Sequence, residues 1–169
     1  QGELEGVSVR IRNGQEPISA PIGCREGTTV SVRNVFYNSA PRRIFLKSPT
    51  AESRHIHEFL IALSLSRPSV AFRFRSDGRD VFSVPRVTGP DQLFLRSSAV
   101  LAKRWGKGLV RILKPENTKS EKGVVILGVV SSPESTRNTR TGQYFFVNGR
   151  YVKSLGMSYA LGRGYGELL

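Results

Sequence analysis

Four cationic side chains fall within 17 residues near the end of the chain: Arg137, Arg140, Arg150 and Lys153. Arg137 and Arg140 belong to a Ser-, Thr-, Asn- and Gly-rich stretch, and Arg150 follows an Asn-Gly pair. Guanidinium and ammonium groups held in this way contact the phosphates of nucleic acids. The stretch therefore indicates a phosphate-contacting surface, and a solvated basic loop is the alternative that the residues leave open.

A second pattern able to hold a ligand is Gly27-Thr28. A glycine ahead of a β-prone segment lets the backbone approach a planar ligand, and the threonine hydroxyl can donate or accept a hydrogen bond. An ordinary turn glycine before a strand is the competing interpretation. Arg42 and Arg43 lie at a predicted helix start, where the helix dipole disfavours cations. This placement predicts a carboxylate or phosphate partner for one of them, or a simple surface salt bridge.

Other chemistries find no support in the residue spacing. His55 and His57 are two residues apart, so on a helix they point in different directions and do not form a metal-binding pair. Cys24 has no histidine partner nearby, as a nucleophile would need. The glycines of 162–166 lack the preceding strand of a phosphate loop. The sequence therefore assigns no catalytic residue and no metal ligand.

Charge is the most informative property of the composition. The 169 residues include 26 Lys and Arg against 13 Asp and Glu, a net charge of +13. Residues 1–84 hold 12 basic and 8 acidic side chains, a net of +4, whereas residues 85–169 hold 14 and 5, a net of +9. Such a field attracts polyanions, so nucleic acid or an acidic surface is the expected partner class. A solubilising basic surface is the alternative.

Apolar spacing and turn signals predict the first elements. Val7, Val9 and Ile11 alternate, and Asn13-Gly14 then predicts a hairpin turn in which both residues have positive φ. A strand is predicted over residues 28–36, where apolar residues alternate again.

Two helices and a second hairpin are predicted next. Ser39 is the predicted N-cap of a helix with Pro41 in its first turn. A longer helix is predicted over 50–66, and it is expected to pack on a sheet that contains the strand 28–36 and a hairpin over 70–84. The helix residues expected to face the core are Ile56, Phe59, Leu60 and Leu63.

The stretch 85–90 contains two prolines and a glycine, and it predicts a linker between two α+β units, residues 1–84 and 85–169. Beyond the linker, a helix is predicted over 91–105 and a last helix from Ser154. The predicted strands of the second unit are 109–113, 123–130 and 143–148. No apolar run approaches the length of a membrane span.

Taken together, the motifs resemble the MutL family of DNA mismatch-repair proteins, over nearly the whole chain. The segments that carry the resemblance are Gly27-Thr28-Thr29-Val30, Val35-Phe36-Tyr37-Asn38, Pro41-Arg42-Arg43-Ile44-Phe45-Leu46-Lys47 and Gln143-Tyr144-Phe145-Phe146-Val147-Asn148-Gly149-Arg150. One departure is Ser39-Ala40-Pro41, where the family usually has a polar residue, then Pro, then Ala.

The resemblance implies a fold and a set of residue roles. Residues 1–84 are expected to be the C-terminal part of an ATPase domain, an α/β sandwich of the gyrase, histidine-kinase and MutL type. Residues 85–169 are expected to form most of a smaller β-α-β, transducer-like domain that contacts DNA. Thr28, with Gly27, matches the adenine-site threonine of the family, and Arg150 matches a position associated with DNA binding.

The resemblance also implies partners and cofactors for a parent protein. That parent would bind ATP and Mg²⁺, form a homodimer, engage DNA, and meet a mismatch-recognition protein and other repair factors. It would be cytoplasmic, and associated with the nucleoid if bacterial. The general-base Glu, the magnesium-binding Asn and the Asp-x-Gly-x-Gly block of the family have no match in this sequence. The chain alone is therefore expected to bind nucleotide poorly and not to hydrolyse ATP.

Three hypotheses about function remain at the level of the sequence. The first is a part of a MutL-type protein whose ATP hydrolysis controls dimerisation and DNA engagement. The second is a stand-alone basic nucleic-acid-binding module without a nucleotide role. The third is a structural transducer piece that contacts protein partners.

Overall fold

The computed structural model of the chain describes residues 5–12, 14–105, 108–112, 123–135 and 140–166. Its internal contacts divide the chain into two compact units, residues 1–48 and residues 49–169. No helix among the described residues is long and apolar enough to cross a membrane.

The first unit begins with a two-stranded antiparallel hairpin, as predicted. Strand β1 (Glu5–Arg10) pairs with β2 (Ile18–Gly23), with Val9 opposite Ser19. Gly14 has the positive φ that the turn needs, at 72°, whereas Asn13 lies outside the described residues. Most residues of both strands are exposed, so within this unit the hairpin is held mainly by its backbone ladder.

The strand predicted over 28–36 is wrong. Residues 28–33 carry no strand, and Val30 and Val32 are 80% and 73% exposed. In the described part of the first unit, β1 and β2 pair with each other and no third strand joins them. Alternating apolar residues favour a strand only where a neighbouring strand accepts its hydrogen bonds and a second layer covers one face.

Helix α1 (Ala40–Ile44) follows, with Ser39 at the N-cap position and a proline in the first turn, as predicted. The Ser39 carbonyl accepts hydrogen bonds from the backbone N–H groups of Arg42 and Arg43, at 3.1 and 3.0 Å, while its side chain makes no capping bond. Because the helix has five residues, both arginines also occupy its last turn, where the dipole favours a cation. The dipole argument for an anionic partner therefore loses its force, and the partner of Arg42 or Arg43 stays a prediction.

The second unit starts with the long helix α2 (Pro49–Ser66). Its buried apolar residues are Ile61, Ala62 and Leu65. The predicted core stripe is wrong for the most part, since Phe59 is 63% exposed and Ile56 is also exposed. The pattern marked an apolar face, but the position of the packing partners decides which part of a helix is buried.

Those partners are a hairpin and a third helix. Strand β3 (Phe72–Ser76) pairs antiparallel with β4 (Arg79–Val84) across a tight turn at Asp77-Gly78, where φ is 49° and 77°. Helix α3 (Gln92–Trp105) contacts α2, and α2 also contacts β3. The predicted packing of the long helix on this hairpin is confirmed, but the predicted inclusion of 28–36 in the same sheet is wrong, because that segment forms no strand and β3 and β4 make a two-stranded sheet.

A fully buried arginine joins these elements. The Arg96 Nη2 of α3 donates to the backbone carbonyls of Pro68, Val70 and Pro85, at 2.7, 2.7 and 2.8 Å. Burial lowers the pKa of this guanidinium from its ordinary value, because desolvation disfavours the charged form. The single side chain thus ties the segment after α2, the end of the β3–β4 hairpin and α3 into one body.

This packing explains why the two compact units meet at residues 48 and 49, whereas the sequence predicted a boundary between residues 84 and 85. Residues on both sides of position 84 belong to the same compact unit, which begins at residue 49. The assignment of 1–84 to an ATPase domain and 85–169 to a transducer-like domain stays a prediction about the parent protein.

Two further hairpins and a helix complete the second unit. Strand β5 (Leu109–Ile112) pairs with β6 (Gly128–Ser131), and β7 (Phe145–Val147) with β8 (Arg150–Val152), both antiparallel. Strand β6 is shorter than the predicted 123–130, because residues 123–127 are exposed and carry no strand. Helix α4 (Leu155–Tyr165) follows β8. The α+β class is confirmed, with four two-stranded sheets among the described residues.

Candidate nucleic-acid interface

The site is built on the β7–β8 hairpin. Asn148 and Gly149 form its two-residue turn with φ of 50° and 75°, as a type I′ turn requires. Val147 and Arg150 are the pair that closes the turn. Arg150 is exposed, so the turn presents its guanidinium at the end of the hairpin.

An aromatic contact set holds this hairpin in place. Tyr151 lies opposite Phe146, with ring centroids 5.8 Å apart, and its ring is 6.2 Å from that of Tyr144. The Tyr144 hydroxyl donates to Glu58 Oε2 of α2 at 3.1 Å. Side chains alternate between the faces of a strand, so Arg150 and Tyr151 belong to opposite faces of the hairpin.

Lys153 lies at the junction between β8 and α4. It is exposed and directly precedes Ser154, the N-cap residue of α4, whose hydroxyl accepts from the Met157 backbone N–H at 3.2 Å. The capped helix start therefore fixes the backbone that carries Lys153, three residues beyond Arg150.

The remaining predicted cations precede the hairpin. Arg140 is exposed, and its carbonyl accepts from the Gln143 N–H at 3.3 Å, in a turn just before β7. Arg137 lies outside the described residues. Arg140, Arg150 and Lys153 form no ion pair with a described residue, so no carboxylate in that part of the chain neutralises them. The structure thus places three of the four predicted cations at the two ends of one hairpin.

A further cation, which the sequence analysis did not assign to the site, lies at the hairpin turn. The Arg67 Nη1 is 3.1 Å from the position that a Cβ on Gly149 would occupy, and Nη2 is 4.0 Å from it. Arg67 directly follows α2. Residues 67 and 149 are far apart in the chain, so no local sequence pattern relates Arg67 to this turn.

The other predicted site, Gly27-Thr28, is not enclosed. Gly27 has φ of 135°, no atom lies within 4 Å of the position of a Cβ on it, and residues 24–35 are all exposed. The described part of the first unit therefore provides no pocket around Thr28, and these residues by themselves do not form a nucleotide cradle. Among the described residues no group of three His, Cys, Asp or Glu side chains is arranged to hold a metal ion.

The fold and this surface define an α+β protein with an exposed basic hairpin, a surface type suited to polyanions. The family model described as "DNA mismatch repair protein, C-terminal domain" matches residues 101–169, which include β5 to α4.

Curated relatives match almost the entire chain. Among them are the DNA mismatch repair proteins MutL of Syntrophotalea carbinolica (34% identical, over 99% of this chain and 26% of the relative) and Desulforamulus reducens (34%, 100% and 25%). The MutL of Symbiobacterium thermophilum is 35% identical over 99% of this chain and 25% of the relative. The chain belongs to the MutL family of DNA mismatch-repair proteins, and it spans about a quarter of the length of the curated relatives it matches.

Proposed function

We propose that this chain contributes a DNA-backbone contact to a MutL-type mismatch-repair protein, through the cations around the β7–β8 hairpin. The observation that carries the proposal is the exposed pair Arg150 and Lys153, placed on a hairpin that Tyr144 anchors to α2. Lys and Arg groups aimed at phosphates bind DNA without reading its sequence. The contact would hold DNA of any sequence, as a protein that relays a mismatch signal along DNA requires.

The charge distribution supports this proposal. Residues 85–169 carry a net charge of +9 and residues 1–84 carry +4, from 14 basic and 5 acidic side chains against 12 and 8. Asp80 and Asp91 form ion pairs with arginines of β3 and β5. Arg140, Arg150 and Lys153 have no such partner among the described residues, which favours their contact with an external anion.

For the parent protein we propose ATP binding and hydrolysis with Mg²⁺, which would control dimerisation and DNA engagement and relay recognition by a mismatch-binding protein. ATP supplies a phosphoryl group whose transfer needs a metal and a positioned general base. From this chain, Gly27 and Thr28 would add one edge of the adenine site. Their exposure means that other parts of the parent would have to enclose the nucleotide.

The second candidate, a stand-alone basic module without a nucleotide role, is less well supported. Full-chain matches to MutL proteins, with this chain spanning about a quarter of each, favour a part of a larger repair protein. Both candidates predict DNA binding, and they differ in whether nucleotide affects it in the parent.

The proposal is tested by fluorescence-anisotropy titration of the 169-residue chain with a labelled duplex and a labelled single strand at several salt concentrations. Four phosphate contacts, from Arg137, Arg140, Arg150 and Lys153, predict a slope of log K against log salt of roughly −3 to −4 on duplex. Arg150→Glu is expected to make the slope shallower by about one unit or more and to weaken binding equally for unrelated sequences.

Arg54→Glu is the matched control for this test. Arg54 is an exposed arginine of α2, 13 residues before Arg67. This separation corresponds to about 20 Å along the helix axis, so Arg54 is far from the β7–β8 turn that Arg67 contacts. Equal and small losses for Arg150→Glu and Arg54→Glu would refute the assignment of the site to the β7–β8 hairpin.

A further inference from the structure

We infer that Arg67 is an additional DNA-phosphate ligand that acts together with Arg150 at the turn of the β7–β8 hairpin. The inference rests on the proposed function, because it assigns one more residue to the same DNA contact. It extends that contact from the hairpin to the C-terminal end of α2.

The close approach depends on Gly149. The Arg67 Nη1 lies 3.1 Å from the position of a Cβ on this residue, a distance that leaves little room for a side chain. Gly149 directly precedes Arg150, and adjacent Cα atoms are about 3.8 Å apart. The Arg67 guanidinium therefore lies against the turn from which the Arg150 side chain extends.

Two independent contacts make this placement a property of the fold. Helix α2 contacts β8. The Tyr144 hydroxyl, just before β7, donates to Glu58 Oε2 on the same helix at 3.1 Å. The hairpin is thus attached to α2 at two points, and the end of α2 has a defined position beside the turn.

The electrostatics of the turn favour an anion between the two arginines. Arg67 and Arg150 form no ion pair among the described residues. The Arg67 Nη1 donates a hydrogen bond to the Ser66 carbonyl at 3.3 Å. The Glu58 carboxylate is nine residues earlier on the helix, about 13 Å along its axis. Adjacent like charges repel each other, and a phosphate accepts hydrogen bonds from guanidinium groups in a geometry that matches their planar fork.

A purely structural role for Arg67 makes a different prediction. A cation at a helix C-terminus interacts favourably with the dipole and stabilises the helix slightly. If that were its only role, neutralising Arg67 would lower the melting temperature slightly and leave the salt dependence of DNA binding unchanged.

The test compares Arg67→Gln, Arg67→Lys and Arg54→Gln in the 169-residue chain, using the labelled duplex at several salt concentrations. Loss of one phosphate contact makes the slope of log K against log salt shallower by about 0.9, which corresponds to about eightfold weaker binding at about 0.1 M salt. We expect this change for Arg67→Gln and none for Arg54→Gln. Arg67→Lys keeps the charge and is expected to retain the slope while binding more weakly than the native chain.

The outcomes separate this inference from the proposed function. A full loss on Arg150→Glu, with Arg67→Gln indistinguishable from Arg54→Gln, overturns the role of Arg67 and leaves the hairpin site in place. Losses on Arg150→Glu no larger than on the Arg54 control overturn the proposed function itself. Thermal unfolding of each variant shows whether a loss of binding arises from misfolding. If Arg67→Gln unfolds cooperatively near the native temperature and has a shallower salt slope, the inference is supported.

Discussion

Replacement of Arg96 with methionine is the sharpest test of how the second unit is held together. In the native chain its Nη2 donates to the carbonyls of Pro68, Val70 and Pro85. The Pro68 carbonyl also accepts from the Val87 N–H at 2.8 Å and so keeps a partner, whereas the Val70 and Pro85 carbonyls lose this donor. Val70 and Pro85 are exposed residues, so the expected cost is that of losing hydrogen bonds to a charged donor, about 1.5–3 kcal/mol each.

One effect offsets part of this cost. Arg96 Nε and Nη1 are buried without a hydrogen-bond partner among the described residues, so the substitution also removes a poorly satisfied buried cation. The net expected destabilisation is therefore about 2 kcal/mol, less than the sum for the two lost hydrogen bonds to a charged group.

Urea denaturation followed by circular dichroism measures this change. For an m-value of about 2 kcal/mol/M, the midpoint should fall by about 1 M with m unchanged. Arg86→Met is the control, because Arg86 is an exposed arginine after β4 and its loss should change stability by less than about 0.5 kcal/mol. If Arg96→Met is as stable as this control or more stable, the three carbonyl contacts do not hold the unit together.

Two further predictions concern the hairpin turns and the ion pair. Hydrogen bonds from Arg73 lower the pKa of the Asp80 carboxyl group in the folded chain. The pair therefore stabilises the β3–β4 hairpin at pH values above the unfolded pKa of about 3.9. This stabilisation is lost as the pH falls through the lower pKa of the folded chain. An NMR titration should show the Asp80 pKa rising in Arg73→Gln, and an unchanged value would contradict the assignment. Gly149→Ala places a Cβ at φ of 75° and against an arginine, and is expected to cost about 1 kcal/mol in thermal unfolding. Gly164→Ala is the control, because a Cβ at this position of α4 meets open space and alanine favours the helix. This variant should unfold at a higher temperature than Gly149→Ala, and equal melting temperatures would exclude strain at the turn.

Several parts of the candidate site could be predicted because their causes are local. The Asn148-Gly149 pair defines its turn since few other residues adopt two successive positive φ values. Ser154 caps α4 through its own hydroxyl, and a proline starts α1, because both effects depend on residues within one helical turn. The position of Arg150 at the hairpin turn follows from the same local rule.

Other parts depended on which elements meet. The apolar pattern of 28–36 predicted a strand, but without a pairing strand in the described part of its unit the segment stays exposed. The spacing of apolar residues on α2 predicted a buried stripe, whereas the residues that are buried, Ile61, Ala62 and Leu65, lie in the C-terminal half of the helix. The helix as a whole contacts β3 and α3. Neither outcome is encoded within a window of ten residues, because pairing and burial require partners from elsewhere in the chain.

Composition and local patterns were sufficient to predict the excess of positive charge, the α+β class, the turns and helix starts, and the segments that resemble the MutL family. Each of these depends on composition or on residues close in the chain, where backbone preference and capping act. The contacts of Arg96 with three segments and of Arg67 with Gly149 became apparent from the folded structure alone. Such contacts join residues far apart in the chain, and they form only when the packing of helices and hairpins brings those residues together.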